Sequence, residues 1–500
     1  METESIETVS KWSFLQINWT IMLTINHFGR YNGIITKTSH ASVNLLMRRT
    51  IMKKKIVSLL LVGVLAMSAF VGCGKSSGNS AKSDDSANTE ENTAAKMYTS
   101  DDENTLTVAA WDANFNIPAL KAAEKAFQKE NPDFKLEIIE QSQSSDIENA
   151  ITTAAQSGNY ENLPDIVLFQ DHYIQQYVTN YPDAWQDIDD ADIDWSDFGE
   201  EKLSFSTIDG KHYGAPVDNG TVIFAYRVDL LEQCGYTLDD VTGITWDKFI
   251  EIGEKVYNET GKYLLSMDGS GNDLPYMMLQ AEGVSQFKDG KANIADNDTM
   301  KKIIEIIEKM QQKNVLLLAN DWSGYTNDIQ KDKVAGVMNG NWIIPTIEQV
   351  AENSGKWEIT SMPTLSGEEG YASNGGSSLY VTANCKKTDL AKKFLAYTFG
   401  GGDGAIDTYD NALRDGGVIT TCISAGKSDV YQEGVEYFNN QAIYAKIVEM
   451  GSHVKVVEQS DYHYTAREKV AAAITNIHNG TSVEDALAQA QQDLEFAMEE

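Results

Sequence analysis

The sequence predicts an α/β fold built on a parallel sheet. Three observations carry this reading. Strand-like and helix-like periods alternate from Thr105 onward; the run Asp165-Ile166-Val167-Leu168-Phe169 is apolar almost throughout; and 500 residues with 42% hydrophobic content can bury a large core, enough for two domains.

The elements follow in order. Thr105 to Ala110 (TLTVAA) reads as a short strand, and Asn116 is placed to cap a helix that carries Leu120, Ala123 and Phe127 on one face. Phe134 to Glu140 (FKLEIIE) reads as a second strand. From Asp146 to Ser157, Ile147, Ala150, Ile151, Ala154 and Ala155 recur at the spacing of an amphipathic helix, which Gly158 ends. Pro164 then introduces the apolar run, the pattern of a strand buried on both faces. Strand, helix, strand, helix, strand implies parallel pairing.

In such sheets ligands lie beyond the carboxyl ends of the strands. That rule points to Trp111, Asp112 and Asn114 after the first strand, and to Asp171 and His172, flanked by Gln170 and Tyr173, after the third. Each set puts an aromatic face beside short hydrogen-bonding side chains. A sugar asks for that combination, because its C–H face packs on a ring and its hydroxyls pair with planar polar groups. A single tryptophan at a strand end is more often a buried structural residue. Two such sets at two strand ends shift the balance towards a binding site.

Ahead of the folded part, Met52 to Cys73 (MKKKIVSLLLVGVLAMSAFVGC) has the layout of a secretory signal: Lys53 to Lys55, an uncharged apolar run from Ile56 to Val71, then Gly72 and Cys73. The run is short for a membrane span, which needs about 20 apolar residues. Val71-Gly72-Cys73-Gly74 resembles the lipobox of bacterial lipoproteins, with Phe70 where leucine is commoner. The resemblance implies cleavage before a diacylated Cys73 and anchoring to the outer face of the cell membrane. Because a signal should begin a chain, translation is expected to start at Met52, with residues 1–51 a doubtful extension and 52–72 the signal. Residues 73–104, rich in Ser, Asn, Asp, Glu and Lys, read as a lipidated disordered tether.

Composition excludes several classes. A formal net charge of −34 argues against nucleic acid, whose binding depends on Lys and Arg. Cys234, Cys385 and Cys422 lack CxxC or zinc-like spacing and read as ordinary small buried or half-buried residues. Asp190, Asp192, Asp194 and Glu201 have the spacing of a calcium loop, but Trp195 stands where the sharp turn needs glycine, so an acidic loop is the better reading. Gly400 to Gly404 follows a helix, the wrong context for a dinucleotide fingerprint. No metal and no cofactor are expected.

From about Leu106 to the C-terminus the chain resembles the maltose-type (family 1) extracellular solute-binding proteins that feed bacterial ABC importers. The carriers are Leu163 to Val167; Asp209 to Pro216, similar to the family's DGK-YG-P hairpin; Phe224 to Leu231, similar to its Y-N-K-D-L-F helix start with Arg227 in place of Asn; Val334 to Trp342; Met362 to Leu365; and Gly375 to Val381 leading into an amphipathic helix at Asp389 to Thr398. Their order and spacing over nearly 400 residues make the likeness specific. It implies a two-lobed, Venus-flytrap α/β fold with a hinge of several chain crossings, near Pro216 to Asn219, Ser361 to Thr364 and Gly416 to Val418. One lobe would hold residues 105–217 plus 362–417, the other 218–361 plus 418–500. It further implies a non-enzymatic monomer that takes a small solute, most simply a sugar or oligosaccharide, to ABC permease subunits. The expected substrate-binding set is Trp111, Asp112, Asn114, Asp171, His172, Asp218, Asn219, Tyr276, Asn341, Trp342, Gly375 and Gly376. The rival class is a secreted glycoside hydrolase, which needs two opposed carboxylates, one with a raised pKa. The lipid tether and the order of the motifs favour the binder.

Overall fold

The computed structural model describes residues 96–269 and 273–499. The N-terminal extension, the signal segment, Cys73 and most of the tether lie outside the described residues. β1 (Thr105–Trp111), α1 (Asn116–Phe127), β2 (Lys135–Gln141), α2 (Ser144–Ser157) and β3 (Ile166–Gln170) fall within two residues of the predicted elements. β1 pairs parallel with both β2 and β3, so that Val108 stands opposite Ile138 and Ile166. Leu106, Val108, Ala109 and Ala110 are wholly buried, as a strand covered on both faces requires. On α1, Leu120, Ala123 and Phe127 face inward, and the Phe127 ring meets Phe134 edge-on at 4.7 Å.

The start of α1 differs from expectation. Asn116 is the first helical residue rather than the cap, and the turn before it is closed by Asp112. Asp112 takes a left-handed backbone (φ 68°), and its Oδ1 accepts from the N–H groups of Asn114 (3.0 Å) and Phe115 (3.2 Å). Aspartate tolerates that conformation because its short side chain bonds its own backbone locally. α2 ends at Gly158 in the left-handed conformation, as read from the sequence.

After β3 the chain forms α3 (Asp171–Asn180), α4 (Glu200–Ser206), the hairpin of β4 (Thr207–Ile208) and β5 (Lys211–His212), and β6 (Gly214–Asp218). Next come β7 (Val222–Arg227), α5 (Trp246–Thr260), β8 (Leu265–Asp268), α6 (Asp273–Ala281), the hairpin of β9 (Phe287–Lys288) and β10 (Lys291–Ala292), α7 (Asp298–Gln312), β11 (Leu316–Ala319), α8 (Trp322–Gln330), β12 (Gly336–Gly340) and β13 (Trp357–Thr360). β14 (Ser377–Val381) is followed by α9 (Thr388–Phe399), α10 (Gly402–Gly416), α11 (Ile443–Ser452), α12 (His463–His478) and α13 (Val483–Met498). The segment that resembled a helix start is strand as far as Arg227, and its helix begins only at Val228.

Two principal sheets organise these elements into two lobes. The first has the order β2-β1-β3-β14-β6, with β14 antiparallel to both neighbours. The second is antiparallel, in the order β12-β7-β13, and β8 and β11 form a parallel pair. The chain leaves the first sheet after Asp218, enters the second at Val222, and returns between Thr360 and Ser377. α10 packs on α1 and α9, while α12 and α13 pack on each other and on α7.

Two further segments are used otherwise than a loose loop would be. Met97 to Asn104, expected in the tether, is fastened to the globule: Met97 is buried, Tyr98 O accepts from Thr107 Oγ1 at 2.7 Å, and Lys387 Nζ collects the carbonyls of Ser100, Asp102 and Thr105. In the acidic loop, Asp190 pairs with Lys392, Asp194 caps the turn at Trp195–Asp197, and Glu201 is buried elsewhere. Among the described residues no group of three His, Cys, Asp or Glu is placed to hold a metal ion.

Candidate functional site

At the carboxyl ends of β1, β3 and β6 lies a cleft of about 380 Å³, within the range of roughly 300–1,000 Å³ usual for small-molecule sites. One wall comes from Trp111, Asp112, Phe115 and Asn116 at the β1–α1 turn. The floor comes from Gln170, Asp218 and the Asn374-Gly375-Gly376-Ser377 segment entering β14. The other wall comes from Asp273 on α6, Trp342 after β12, and Tyr464 and Arg467 on α12.

Of the expected set, Trp111, Asp112, Asp218, Trp342, Gly375 and Gly376 line this cleft. The others sit elsewhere, each for a definable reason. Asn114 is exposed on the turn that Asp112 closes. Asp171 lies beneath the floor, bound to Lys202 Nζ at 2.5 Å, and burial pushes its carboxyl up to about 6 while that ammonium pulls it back down. His172 is buried behind Gly375, whose N–H it accepts at 3.4 Å. Asn219 and Asn341 are buried in the crossing region, where Asn341 N–H donates to Thr221 O at 2.8 Å. Tyr276 is packed under the Arg467 guanidinium, 4.8 Å from its ring centre.

Trp342 stands half-buried in a slot cut by two glycines. A Cβ at Gly340 would fall 2.3 Å from the indole nitrogen and one at Gly375 3.0 Å from it. The indole N–H donates to Asn374 O at 2.6 Å, which fixes the ring plane. Asn116, in the other wall, is 5% exposed, and its buried Oδ1 has no hydrogen-bond partner among the described residues.

Arg467 was not anticipated. Arginine is almost never fully buried unless paired, and here it is 2% exposed, ion-paired with Asp273, bonded to Asn374 Oδ1 at 3.1 Å, and laid against the rings of Tyr276 and Tyr464. The signal available in the sequence was Tyr464 and Arg467 at helical i, i+3 spacing, directly after His463. The His463 ring stacks on that of His172 at 4.4 Å and 4°, and Tyr464 stacks on Tyr173 at 4.5 Å, so α3 and α12 are joined beside the cleft. Burial, reinforced by neighbouring cations, holds both imidazoles well below the usual histidine range, so the stack consists of neutral rings.

The three cleft carboxylates already have protein partners: Asp112 with backbone N–H groups, Asp218 with Ser377 Oγ, and Asp273 with Arg467. Burial also raises the Asp218 carboxyl above the usual range. Held in this way, they are fixed acceptors between aromatic faces, an arrangement suited to retaining a polar solute.

Comparison with known proteins identifies the family and the fold. Residues 122–439 match the family model of the bacterial extracellular solute-binding proteins. A lactose-binding protein of Rhizobium radiobacter is 30% identical over 388 residues, covering 76% of this chain and 90% of that protein. The sugar-binding protein MalE of Xanthomonas citri superposes with a TM-score of 0.65 at 16% identity, over 79% of this chain and 97% of that one. A binding protein of Bifidobacterium animalis subsp. lactis Bl-04, solved with β-1,6-galactobiose, gives 0.60 at 20% identity, over 79% and 98%. The chain belongs to the bacterial extracellular solute-binding proteins.

Proposed function

We propose that the cleft captures a small carbohydrate between the two lobes and that the closed form hands it to a membrane permease of an ABC import system. The observation that carries this reading is the meeting, in one cleft, of Trp111 and Trp342 with fixed carboxylate acceptors and a buried guanidinium. Aromatic faces take the C–H side of a sugar, and planar polar groups take its hydroxyls. The lactose-binding relative and the galactobiose complex support a galactose-containing disaccharide as the first ligand to try. Closure follows from contacts that exist only when both walls touch the ligand. The signal segment and Cys73 support attachment to the outer face of the membrane by a lipid.

A thermal-shift screen with lactose, β-1,6-galactobiose and maltose tests the reading. A ligand that binds only the folded state stabilises by RT ln(1 + [L]/Kd), about 4 kcal/mol at a thousandfold excess over Kd. A raised midpoint with the sugar recovered intact supports capture. A sugar consumed by the protein supports a glycoside hydrolase instead, and an unmoved midpoint across the panel counts against a carbohydrate ligand.

A further inference from the structure

Lys202 is 1% exposed, and its ammonium meets three acceptors: Asp171 Oδ2 at 2.5 Å, Asp218 O at 2.7 Å and Ser377 O at 2.8 Å. An ammonium has three donors, so its hydrogen-bonding capacity is fully used. The acceptors belong to three different segments: the start of α3, the end of β6 and the start of β14. Asp218 and Ser377 line the cleft, their side chains are bonded to each other, and the β14–β6 register shifts between Ser377 and Ser378. The intervening backbone is folded closely over this point. A Cβ at Gly376 would lie 2.4 Å from Asp171 Oδ2 and 3.0 Å from Asp218 O, and Asp171 N–H donates to Gly376 O at 3.1 Å. The neighbouring Glu201 reaches the other way, to Ser373 Oγ at 2.5 Å and Gln280 Nε2 at 3.1 Å, so α4 is fixed on both sides.

Replacing a buried ion pair by apolar residues is often neutral or stabilising, so stability alone does not account for a lysine in this place. We infer that Lys202 is a positioning residue for ligand binding: its ammonium sets the two carbonyls and the Gly375-Gly376 backbone in the geometry that the ligand meets. The inference rests on the carbohydrate reading of the cleft.

The test compares wild type, Asp171→Asn and Asp171→Asn/Lys202→Met by calorimetry, with lactose and β-1,6-galactobiose as probes. The double variant removes both charges of the Asp171–Lys202 pair, and a cooperative thermal transition establishes that it folds before affinities are compared. It should bind at least tenfold more weakly than Asp171→Asn alone. Equal affinity of the two variants overturns the positioning role. A second measurement, on the wild-type protein, is NMR of Nζ-labelled lysine. The protected ammonium signal that is missing from Asp171→Asn/Lys202→Met is that of Lys202, and it should shift when the cleft is saturated with sugar. A protected signal unmoved at saturation, or no protected signal at all, overturns the inference. Wild type that binds neither probe while keeping the protected signal tells against the choice of sugar and leaves the held ammonium standing.

Discussion

Glu201→Gln should stabilise the protein near pH 8 and make little difference below about pH 4.5. The Glu201 carboxyl is wholly buried; Oε1 accepts from Ser373 and Gln280, and Oε2 has no partner among the described residues. Burial pushes it from the ordinary 4.5 up to about 7, with the nearby charge of Asp171 adding to the rise and the bonds from Ser373 and Gln280 opposing it. The folded state therefore holds this proton more tightly than the unfolded chain. The resulting stability is fully present below about 4.5 and is lost as the pH rises through about 7. The gap between about 7 and 4.5, at about 1.4 kcal/mol per pH unit, comes to between about 3 and 4 kcal/mol. Glutamine keeps the acceptor for Ser373 and puts an uncharged amide where Oε2 stood, which removes the penalty. Urea unfolding of both proteins across this pH range checks the argument: the stability curves should converge in acid and separate by about 3 to 4 kcal/mol in mild base. Parallel curves with a constant offset would refute it.

Two other substitutions separate function from folding. Trp342→Ala should weaken binding of the captured sugar by about 1–3 kcal/mol, taking ring stacking as comparable to that of a nucleobase. Because the ring is only half-buried, its stability cost should stay below the roughly 3–5 kcal/mol of a core tryptophan. Calorimetry alongside thermal unfolding measures both, and intact affinity with a large fall in midpoint would remove Trp342 from the ligand site. Cys73→Ser should release the mature protein into the medium with unchanged affinity in solution, since among the described residues no helix is long and apolar enough to cross a membrane; membrane retention of that variant would count against lipidation.

The alternating first half of the first sheet was legible because each period was unambiguous: the helix faces of α1 and α2 and the apolar run of β3 report burial directly. Trp111, Asp112 and Trp342 were legible for a related reason, lying where a strand gives way to a turn. What escaped were groups whose position depends on distant segments. Asp171 and Trp111 look equivalent in sequence, yet Lys202 draws Asp171 under the floor while Trp111 stays in the cleft. Arg467 shares no local pattern with Asp273; the ion pair exists only because α6 and α12 pack together. Asn116 was read as a cap because Asn favours caps, but Asp112 closes the turn ahead of the helix, its carbonyl accepts from Ile117 N–H, and the helix begins at Asn116 itself.

The junction of α3 with α12 also orders events in time. His172 and Tyr173 are made about 290 residues before their stacking partners His463 and Tyr464, and Trp111 precedes Arg467 by 467 − 111 = 356 positions. Contacts so far apart in the chain form late, after the entropy of closing a long loop has been met. A chain emerging from its N-terminus can pair β1, β2 and β3 early, but it has no second cleft wall until α12 has arrived and docked. Trimming the C-terminal helices would therefore take Tyr464 and Arg467 out of the cleft and leave its second wall incomplete.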